Sequence, residues 1–290
     1  MKIRKAIITA AAPSQHALPL QRIVDQDGQE KTALQLIVEE VVSAGVEEIC
    51  VVVQPNDQAE FRRAAGDNAG ILSFAEQPKP LGYADAIYRG KEFVGTEPFL
   101  HLVGDHLYVS GKTARCAEQL IAVASENGCS VSAVQPTRER NLKFFGAIGG
   151  QRIDNRPDLY EIATVLEKPT PTQAEQELLI AGLRSGFYQC FFGMHVFSDS
   201  VMSTLGSVLE SSSETSKKTL SDALALLASR EKYLAFEVNG SRYNIGEKYG
   251  VFMAQAALAL QGADRDQILT SLVELLASKA NAFPRIQSEG

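Results

Sequence analysis

The chain has 290 residues, 45% of them hydrophobic and 22% charged, which is the composition of a globular protein with a substantial core. Its net charge of −7 and its pI of about 5.3 argue against a nucleic-acid-binding surface, so phosphate binding would need a local site. No apolar run reaches the roughly 20 residues that cross a bilayer, and no signal peptide precedes the first strand, which predicts a cytoplasmic protein without a membrane partner.

The first half of the chain alternates predicted strands and helices. Short apolar, β-branched runs predict strands at 5–10, 49–53, 71–75, 99–103 and 129–134. Helical spacing and caps predict helices at 32–44, 57–66, 84–93 and 112–126. This alternation is typical of a doubly wound, mostly parallel sheet with helices on both faces. Ligands bind beyond the carboxyl ends of such strands, here the loops at 11–22, 76–83 and 104–110.

The regular alternation of strands and helices ends at about residue 144. Strands are predicted at 144–149, 159–167 and 187–197, and helices at 172–183, 219–228, 249–260 and 264–279, with a loop at 211–216. We therefore expect an α/β protein with a mixed β extension and C-terminal helices. Residues 1–262 form one predicted domain, with one half at 1–140 and the other at 141–262. Residues 263–290 are a predicted helix and tail.

A carboxylate follows the predicted strand 99–103. Asp105, in the sequence Val-Gly-Asp-His, lies at the carboxyl end of this strand. A carboxylate in that position suits a hard cation such as Mg²⁺, which keeps several waters and binds phosphate oxygens as well. The alternative is an aspartate that caps the turn after the strand.

The segment 77–86, with the sequence QPKPLGYADA, runs from a predicted strand into a predicted helix. Its two prolines stiffen the loop, and Gly82 lets the backbone approach a flat ligand closely. Gln77 offers both a donor and an acceptor, which is what reading the amide edge of a pyrimidine requires. Taken without its neighbours, the segment is also compatible with a proline-rich turn before a helix.

Taken in order, these motifs resemble those of the sugar-1-phosphate nucleotidyltransferases, in particular the glucose-1-phosphate uridylyl- and thymidylyltransferases. Q-P-x-P-x-G-x-A-x-A at 77–86 and G-D-x-x-Y at 104–108 are followed by F-G-A at 145–147, E-K-P at 167–169, L-S-D-A at 220–223 and Y-N-I-G at 243–246. Each motif is weak alone, but their order matches the family across nearly the whole chain. The resemblance implies the Rossmann-like fold that nucleotidyltransferases share with type A glycosyltransferases. It also implies that the half at 1–140 binds the nucleotide and that the half at 141–262 binds the sugar.

The resemblance also implies a reaction and its residues. A nucleotidyl group would pass from a nucleoside triphosphate, first of all UTP, to a sugar 1-phosphate, first of all glucose 1-phosphate, with Mg²⁺ as cofactor and pyrophosphate as product. The implied catalytic residues are His16, Lys31, Asp105 and Lys168; the nucleotide-binding residues are Ala11, Ala12, Gln77 and Gly82; the sugar-binding residues are Gly146, Glu167 and Lys168; and the metal ligands are Asp105 and Asn244. Family members often associate, so we expect a homo-oligomer, with the apolar stripe at 264–279 available for contact.

Two positions depart from the family, and both concern charge. The family's phosphate loop is glycine-rich and ends in an arginine, whereas residues 11–16 read AAPSQH, and the imidazole of His16 is only partly charged near neutral pH. Asn244 stands where the family has its second metal-binding aspartate; an amide oxygen coordinates Mg²⁺ but brings no negative charge. The alternative function is therefore a catalytically impaired paralogue that binds nucleotide sugars or acts in regulation.

A glycosyltransferase of related fold is a third interpretation. Such enzymes usually carry a D-x-D pair, whereas Asp105 is followed by His106 and Leu107. The sequence thus favours a nucleotidyltransferase over a glycosyltransferase.

Overall fold

A computed structural model describes residues 1–13, 16–211 and 219–280 of the chain. The strands are β1 (Lys5–Thr9), β2 (Arg22–Val24), β3 (Glu30–Thr32), β4 (Glu48–Val53), β5 (Leu72–Glu76), β6 (Phe99–Val103), β7 (His106–Ser110), β8 (Ser130–Arg138), β9 (Gly146–Ile153), β10 (Arg156–Glu167), β11 (Phe187–Phe197), β12 (Tyr233–Glu237) and β13 (Gly240–Asn244). The helices are α1 (Ala33–Ser43), α2 (Gln58–Ala64), α3 (Tyr83–Tyr88), α4 (Lys91–Val94), α5 (Cys116–Asn127), α6 (Pro171–Glu177), α7 (Ser200–Glu210), α8 (Leu220–Arg230), α9 (Gly250–Ala259) and α10 (Arg265–Ala280). The loop predicted at 211–216 lies, after its first residue, outside the described residues.

A nine-stranded sheet in the order β5-β4-β1-β6-β11-β8-β12-β10-β9 runs through the molecule. In its first part, β1 pairs in parallel with β4 and β6, and β4 pairs in parallel with β5. These strands are almost continuously apolar because helices cover both of their faces. The predicted parallel, doubly wound arrangement is confirmed.

The second part of the sheet is mixed, as predicted. The long strand β11 enters between β6 and β8 and runs antiparallel to both. β12 is parallel to β8, and the β9–β10 hairpin closes the far edge. Strands from both predicted halves therefore share one sheet, and the assignment of one half to nucleotide and the other to sugar remains a prediction.

Two small antiparallel ladders stand beside the main sheet. β2 pairs with β3, and β7 pairs with β13, so that Asn244 lies opposite His106. The prediction of a loop over 104–110 was therefore wrong for residues 106–110, which form β7. Leu107 and Val109 alternate with more polar residues in this run, but five residues are too few to predict a strand, and the distant partner β13 supplies its ladder.

The hydrophobic core lies in two layers, one on each face of the sheet. One layer joins α1 and α5 to the strands, with Leu34, Ile37 and Leu120 fully buried. The other joins α3, α7 and α8 to the opposite face, with Ile87 and Leu205 fully buried. Because each helix buries one apolar stripe against the sheet, the carboxyl ends of the parallel strands are held rigidly.

Two predicted helices are interrupted or end several residues early in the structure. The helix predicted at 84–93 is divided into α3 and α4 at Gly90, whose backbone approaches the side chain of Ile7 so closely that a Cβ would lie 2.4 Å from its Cδ1. The helix predicted at 172–183 ends at residue 177, since the buried side chain of Leu178 turns inward where the chain passes over Gly149.

The C-terminal helices α9 and α10 occupy the positions predicted for them, within two residues at each end. α10 is exposed over nearly its whole described length. Of the helices within the described residues, none combines the length and apolar character that a membrane crossing requires.

Candidate active site

A cavity of about 490 Å³ opens at the carboxyl ends of β1, β5 and β6. The loops that follow these strands contribute Ala11, Ala12, Gln77, Gly82 and Asp105 to its wall, and Asn244 and Lys168 arrive from the second half of the chain. Seven residues assigned from the sequence thus meet in one cavity. Its size suits a nucleotide or a nucleotide sugar.

The loop after β5 forms one wall of the cavity. Gln77 is 7% exposed, and its amide donates to the carbonyl oxygen of Gly82 (3.0 Å) and to Oδ2 of Asp85 (2.8 Å). Gly82 has φ 108° and ψ 178°, a conformation that essentially only glycine adopts. These contacts hold the loop against the start of α3 and leave the side-chain Oε1 of Gln77 without a partner among the described residues.

Asp105 lies at the tip of β6, where its Oδ1 is 2.7 Å from Nδ1 of His106. Burial alone would raise the pKa of this carboxyl, but the hydrogen bond and charge of His106, together with the Arg242 guanidinium, hold the pKa below its usual value. Asp105 is therefore an anion at neutral pH. Oδ2 makes no hydrogen bond with the described side chains and is available to a cation.

Asn244 is brought to Asp105 by the β7–β13 ladder. It pairs with His106, and the next amide, of Ile245, donates to the carbonyl oxygen of Asp105 (2.9 Å). The side-chain oxygen of Asn244 accepts a hydrogen bond from the backbone N–H of Gly246 (2.8 Å), which turns the chain toward α9. One lone pair of that oxygen is thus already used.

Asp105 and Asn244 could supply two of the ligands of a magnesium ion but not its whole coordination shell. Within the described residues, no group of three or more His, Cys, Asp or Glu side chains could hold a metal by itself. Asp105 offers one carboxylate oxygen and Asn244 a shared amide oxygen, both on the cavity wall. Mg²⁺ commonly binds through one or two protein ligands, with phosphate oxygens and waters completing its octahedron, so the pair fits an ion that a nucleotide brings with it.

Glu167 is the last residue of β10, and Lys168, which follows it, lines the cavity. The Oε2 atom of Glu167 accepts a hydrogen bond from the hydroxyl of Ser221 (2.6 Å), and both lie beside Gly146, where a Cβ would come within 2.8 Å of that hydroxyl. Gly146 and Glu167 are thus neighbours, but they stand just outside the cavity that Lys168 lines, and their role in binding a sugar stays a prediction.

Lys168 has a positive φ of 46°, a backbone conformation that residues other than glycine rarely adopt. Its backbone N–H donates to the carbonyl oxygen of Phe145 (3.1 Å), and Pro169 follows it. Its ammonium is 3.8 Å from Glu167 and 58% of the side chain is exposed. The fold thus tolerates local strain in order to place this cation at the cavity.

The loop after β1 supplies shape but little charge. Ala11 is buried and Ala12 is exposed on the cavity wall. His16 does not line the cavity; its Nδ1 lies 3.1 Å from Oδ2 of Asp57. The structure therefore does not bring His16 to the position that the resemblance implies for an arginine.

Lys31 does not line the large cavity, so the structure does not bring it to the residues among which the resemblance places it. Its ammonium lies in β3, bound to Asp25 (2.9 Å) and Glu39 (2.7 Å), and lines a separate cavity of about 160 Å³ behind β7. Burial alone would lower the pKa of Lys31, but these two carboxylates raise it. The β2–β3 hairpin carries the lysine away from the first loop. The second cavity also contains Glu40, whose pKa burial raises to about 7.

Sequence reasoning missed several contacts at the site. Asp85, which orients Gln77, belongs to the helical run after the loop and has no motif of its own. The Tyr83 hydroxyl, on the cavity wall, bonds Nε2 of the buried His101 (2.7 Å). The sequence signal that could have identified Asp85 is a charged residue between two alanines at the start of a predicted helix.

The family of the chain follows from the comparison with known proteins. Residues 23–259 match the model of the family described as nucleotidyl transferase. The chain belongs to this family. It is 28% identical to a UTP–glucose-1-phosphate uridylyltransferase of Bacillus subtilis, over 98% of this chain and 99% of that protein. It is 26% identical to a protein of the same description from Streptococcus pneumoniae, over 94% and 96% of the two chains.

Solved structures confirm the nucleotidyl transferase fold. A UDP-glucose pyrophosphorylase complexed with UDP-glucose superposes with a TM-score of 0.72 at 22% identity, covering 88% of this chain and 98% of that one. A UTP-bound UGPase from Acinetobacter baumannii has a TM-score of 0.70 at 19% identity, covering 94% and 99%.

Proposed function

We propose that this nucleotidyl transferase family member transfers a uridylyl group from UTP to a sugar 1-phosphate, with glucose 1-phosphate as its first candidate substrate. One observation carries the proposal: the base-reading loop, Asp105, Asn244 and Lys168 line the same cavity, although they are far apart in sequence. The similar uridylyltransferases support the choice of UTP and glucose 1-phosphate.

The reaction is an in-line displacement. An oxygen of the sugar 1-phosphate forms a bond to the α-phosphorus, and the bond from that phosphorus to the bridging oxygen of pyrophosphate breaks. Gln77 and Gly82 would hold the base, and the phosphates would then occupy the same cavity, which Asp105 and Lys168 also line. Lys168 binds the sugar phosphate and reduces the repulsion between the two anionic reactants.

We also propose Mg²⁺ as the cofactor, with Asp105 as its anionic ligand and Asn244 as a neutral one. When bound, the ion neutralises charge on the phosphate oxygens. Among the described residues of the cavity wall, Lys168 is the one side chain with a permanent positive charge, so the triphosphate depends on the cation it carries.

The second candidate is a nucleotide-sugar-binding protein without turnover. It is favoured by the positions of His16, which pairs with Asp57, and of Lys31, which lies in the other cavity. Both cations that the resemblance implies for the triphosphate are absent from the cavity wall, whereas the base loop is intact.

One assay separates the two functions. Pyrophosphate release and UDP-glucose formation are measured with UTP, glucose 1-phosphate and Mg²⁺, and UTP and UDP-glucose binding are measured by calorimetry. We expect turnover that falls at least tenfold in Asp105→Asn and persists in Asp67→Asn, an exposed matched control. Binding without turnover establishes the second function, and absence of any nucleotide binding refutes both.

We further propose a homo-oligomer in the cytoplasm. Phe252 and Met253 of α9 and Leu269, Val273 and Leu276 of α10 are between 44% and 71% exposed within the described residues. A second copy would cover this apolar surface. Light scattering of the wild type and of Leu276→Glu tests the proposal; an unchanged mass in the variant, or a monomeric wild type, contradicts it.

A further inference from the structure

The side-chain amide of Gln77 has only one possible orientation. Its inner end faces two groups that can only accept hydrogen bonds, the carbonyl oxygen of Gly82 and the carboxylate of Asp85, at 3.0 and 2.8 Å. The NH₂ group must therefore point inward, and both of its protons are used there. The Oε1 atom points away and makes no hydrogen bond with the described residues. Gln77 thus presents an acceptor to the cavity that it lines.

Asp85 enforces this orientation and is itself fixed by Arg89, one helical turn later. The Nη2 and Nε atoms of Arg89 lie 2.9 and 3.3 Å from the two carboxylate oxygens of Asp85, which is 5% exposed. A flipped Gln77 would place its oxygen against a carboxylate and a carbonyl oxygen in a buried setting, where unpaired acceptors are strongly disfavoured.

Gly82 supplies the complementary group beside this acceptor. Its backbone N–H makes no hydrogen bond within the described part of the chain, and a Cβ built on it would meet nothing within 4 Å. Both residues line the cavity, so the loop has an unused acceptor on Gln77 and an unused donor on Gly82 for a ligand bound there.

This pattern distinguishes the pyrimidine bases. Uracil and thymine present a donor at N3 and an acceptor at O4, which complement the Gln77 acceptor and the Gly82 donor. Cytosine presents the reverse, an acceptor at N3 and a donor at N4. We propose that Asp85 is a positioning residue that, through Gln77, makes the site select uracil or thymine over cytosine. This rests on the proposed function, because it assumes that the cavity binds a nucleotide.

The wild-type protein gives the first test. Calorimetry with UTP, CTP and 3-methyl-UTP, which lacks the N3 proton, is expected to show affinities at least about 100-fold weaker for CTP and about tenfold or more weaker for 3-methyl-UTP. Equal binding of UTP and CTP overturns the inference and leaves nucleotide binding intact. Absence of all nucleotide binding instead overturns the proposed function and the inference with it.

The second test perturbs Asp85 itself. An amide at this position can donate to Gln77, so Asp85→Asn allows the flipped orientation, and we expect the UTP to CTP affinity ratio to fall to about tenfold or less. Arg89→Gln, which loosens Asp85 without removing it, is expected to give an intermediate ratio. Glu92→Gln, an exposed charge-matched control on α4, keeps the wild-type ratio. A general loss of stability would lower both affinities together, so an unchanged ratio in Asp85→Asn and in Arg89→Gln overturns the role of Asp85.

Discussion

Replacing Lys168 with glycine or with alanine separates the strain at this residue from its charge. Both changes remove the ammonium, but only glycine accepts the φ of 46° without penalty. A left-handed conformation costs a residue with a Cβ about 1–2 kcal/mol, which the glycine variant avoids. The greater freedom of glycine in the unfolded chain offsets roughly 0.5–1 kcal/mol of this advantage. We expect Lys168→Gly to be about 0.5–1 kcal/mol more stable than Lys168→Ala, or about 1–3 °C in Tm.

Loss of the ammonium itself should hardly affect stability. The ion pair with Glu167 is long (3.8 Å) and exposed, and such pairs contribute little. Lys2, paired with Glu47 at the same 3.8 Å, provides a matched control as Lys2→Ala. Catalysis should respond differently, because a charge-assisted bond to phosphate is worth roughly 1.5–3 kcal/mol. We expect both Lys168 variants to raise the KM for the sugar 1-phosphate about 10- to 150-fold.

The measurements are thermal melts and steady-state kinetics on the same preparations. A Lys168→Gly protein that is no more stable than Lys168→Ala would refute the assignment of strain. A KM within twofold of the wild type in both variants, as expected for Lys2→Ala, would refute the assignment of Lys168 to the sugar phosphate.

Three further predictions concern Asn244, which departs from the family, and two residues of the second cavity. Asn244→Asp supplies a second carboxylate, so we expect at least a severalfold lower Mg²⁺ concentration at half-maximal pyrophosphate release. Lys31→Ala leaves the buried Asp25 without its cation and should lower unfolding stability in urea by about 1–3 kcal/mol, with turnover nearly unchanged. Burial raises the pKa of Glu40 from 4.5 to about 7. The stability contributed by its protonated carboxyl is therefore fully present below pH 4.5 and is lost as pH rises through 7. The Tm of Glu40→Gln should accordingly rise relative to that of the wild type between pH 5 and 8.

Each of these predictions has a result that contradicts it. An unchanged metal requirement in Asn244→Asp would remove Asn244 from the metal site. A large fall in turnover with unaltered stability in Lys31→Ala would return this lysine to catalysis. A Tm difference between Glu40→Gln and the wild type that is independent of pH would show that Glu40 is ionised throughout.

Local sequence predicted much of the fold because several strands, in the parallel and in the mixed part of the sheet, have strong local patterns. The strands at 99–103 and 187–197 have the predicted bounds, since continuous apolar runs between turn residues leave little choice of register. The ladder of β7 and β13 was not predicted, because two weakly patterned segments about 130 residues apart stabilise one another.

The candidate site shows the same division. Gln77, Gly82 and Asp105 could be placed because each lies in the loop that follows a strand predicted from the sequence. Lys31 could not, because its direction depends on a hairpin of two three-residue strands and on contacts with Asp25 and Glu39. The order of motifs identifies candidate residues, but the position of a charged side chain such as Lys31 depends on the residues with which it pairs.

The insertion of β11 between β6 and β8 has a consequence for how the protein is made. Within the described sheet, β6 has β1 on one side and only β11 on the other, so its second edge stays open until residues 187–197 have left the ribosome. Open apolar edges recruit other chains. A nascent or truncated chain that ends near residue 140 should therefore aggregate, and nucleotide binding should begin only when residue 244 has emerged and paired with β7.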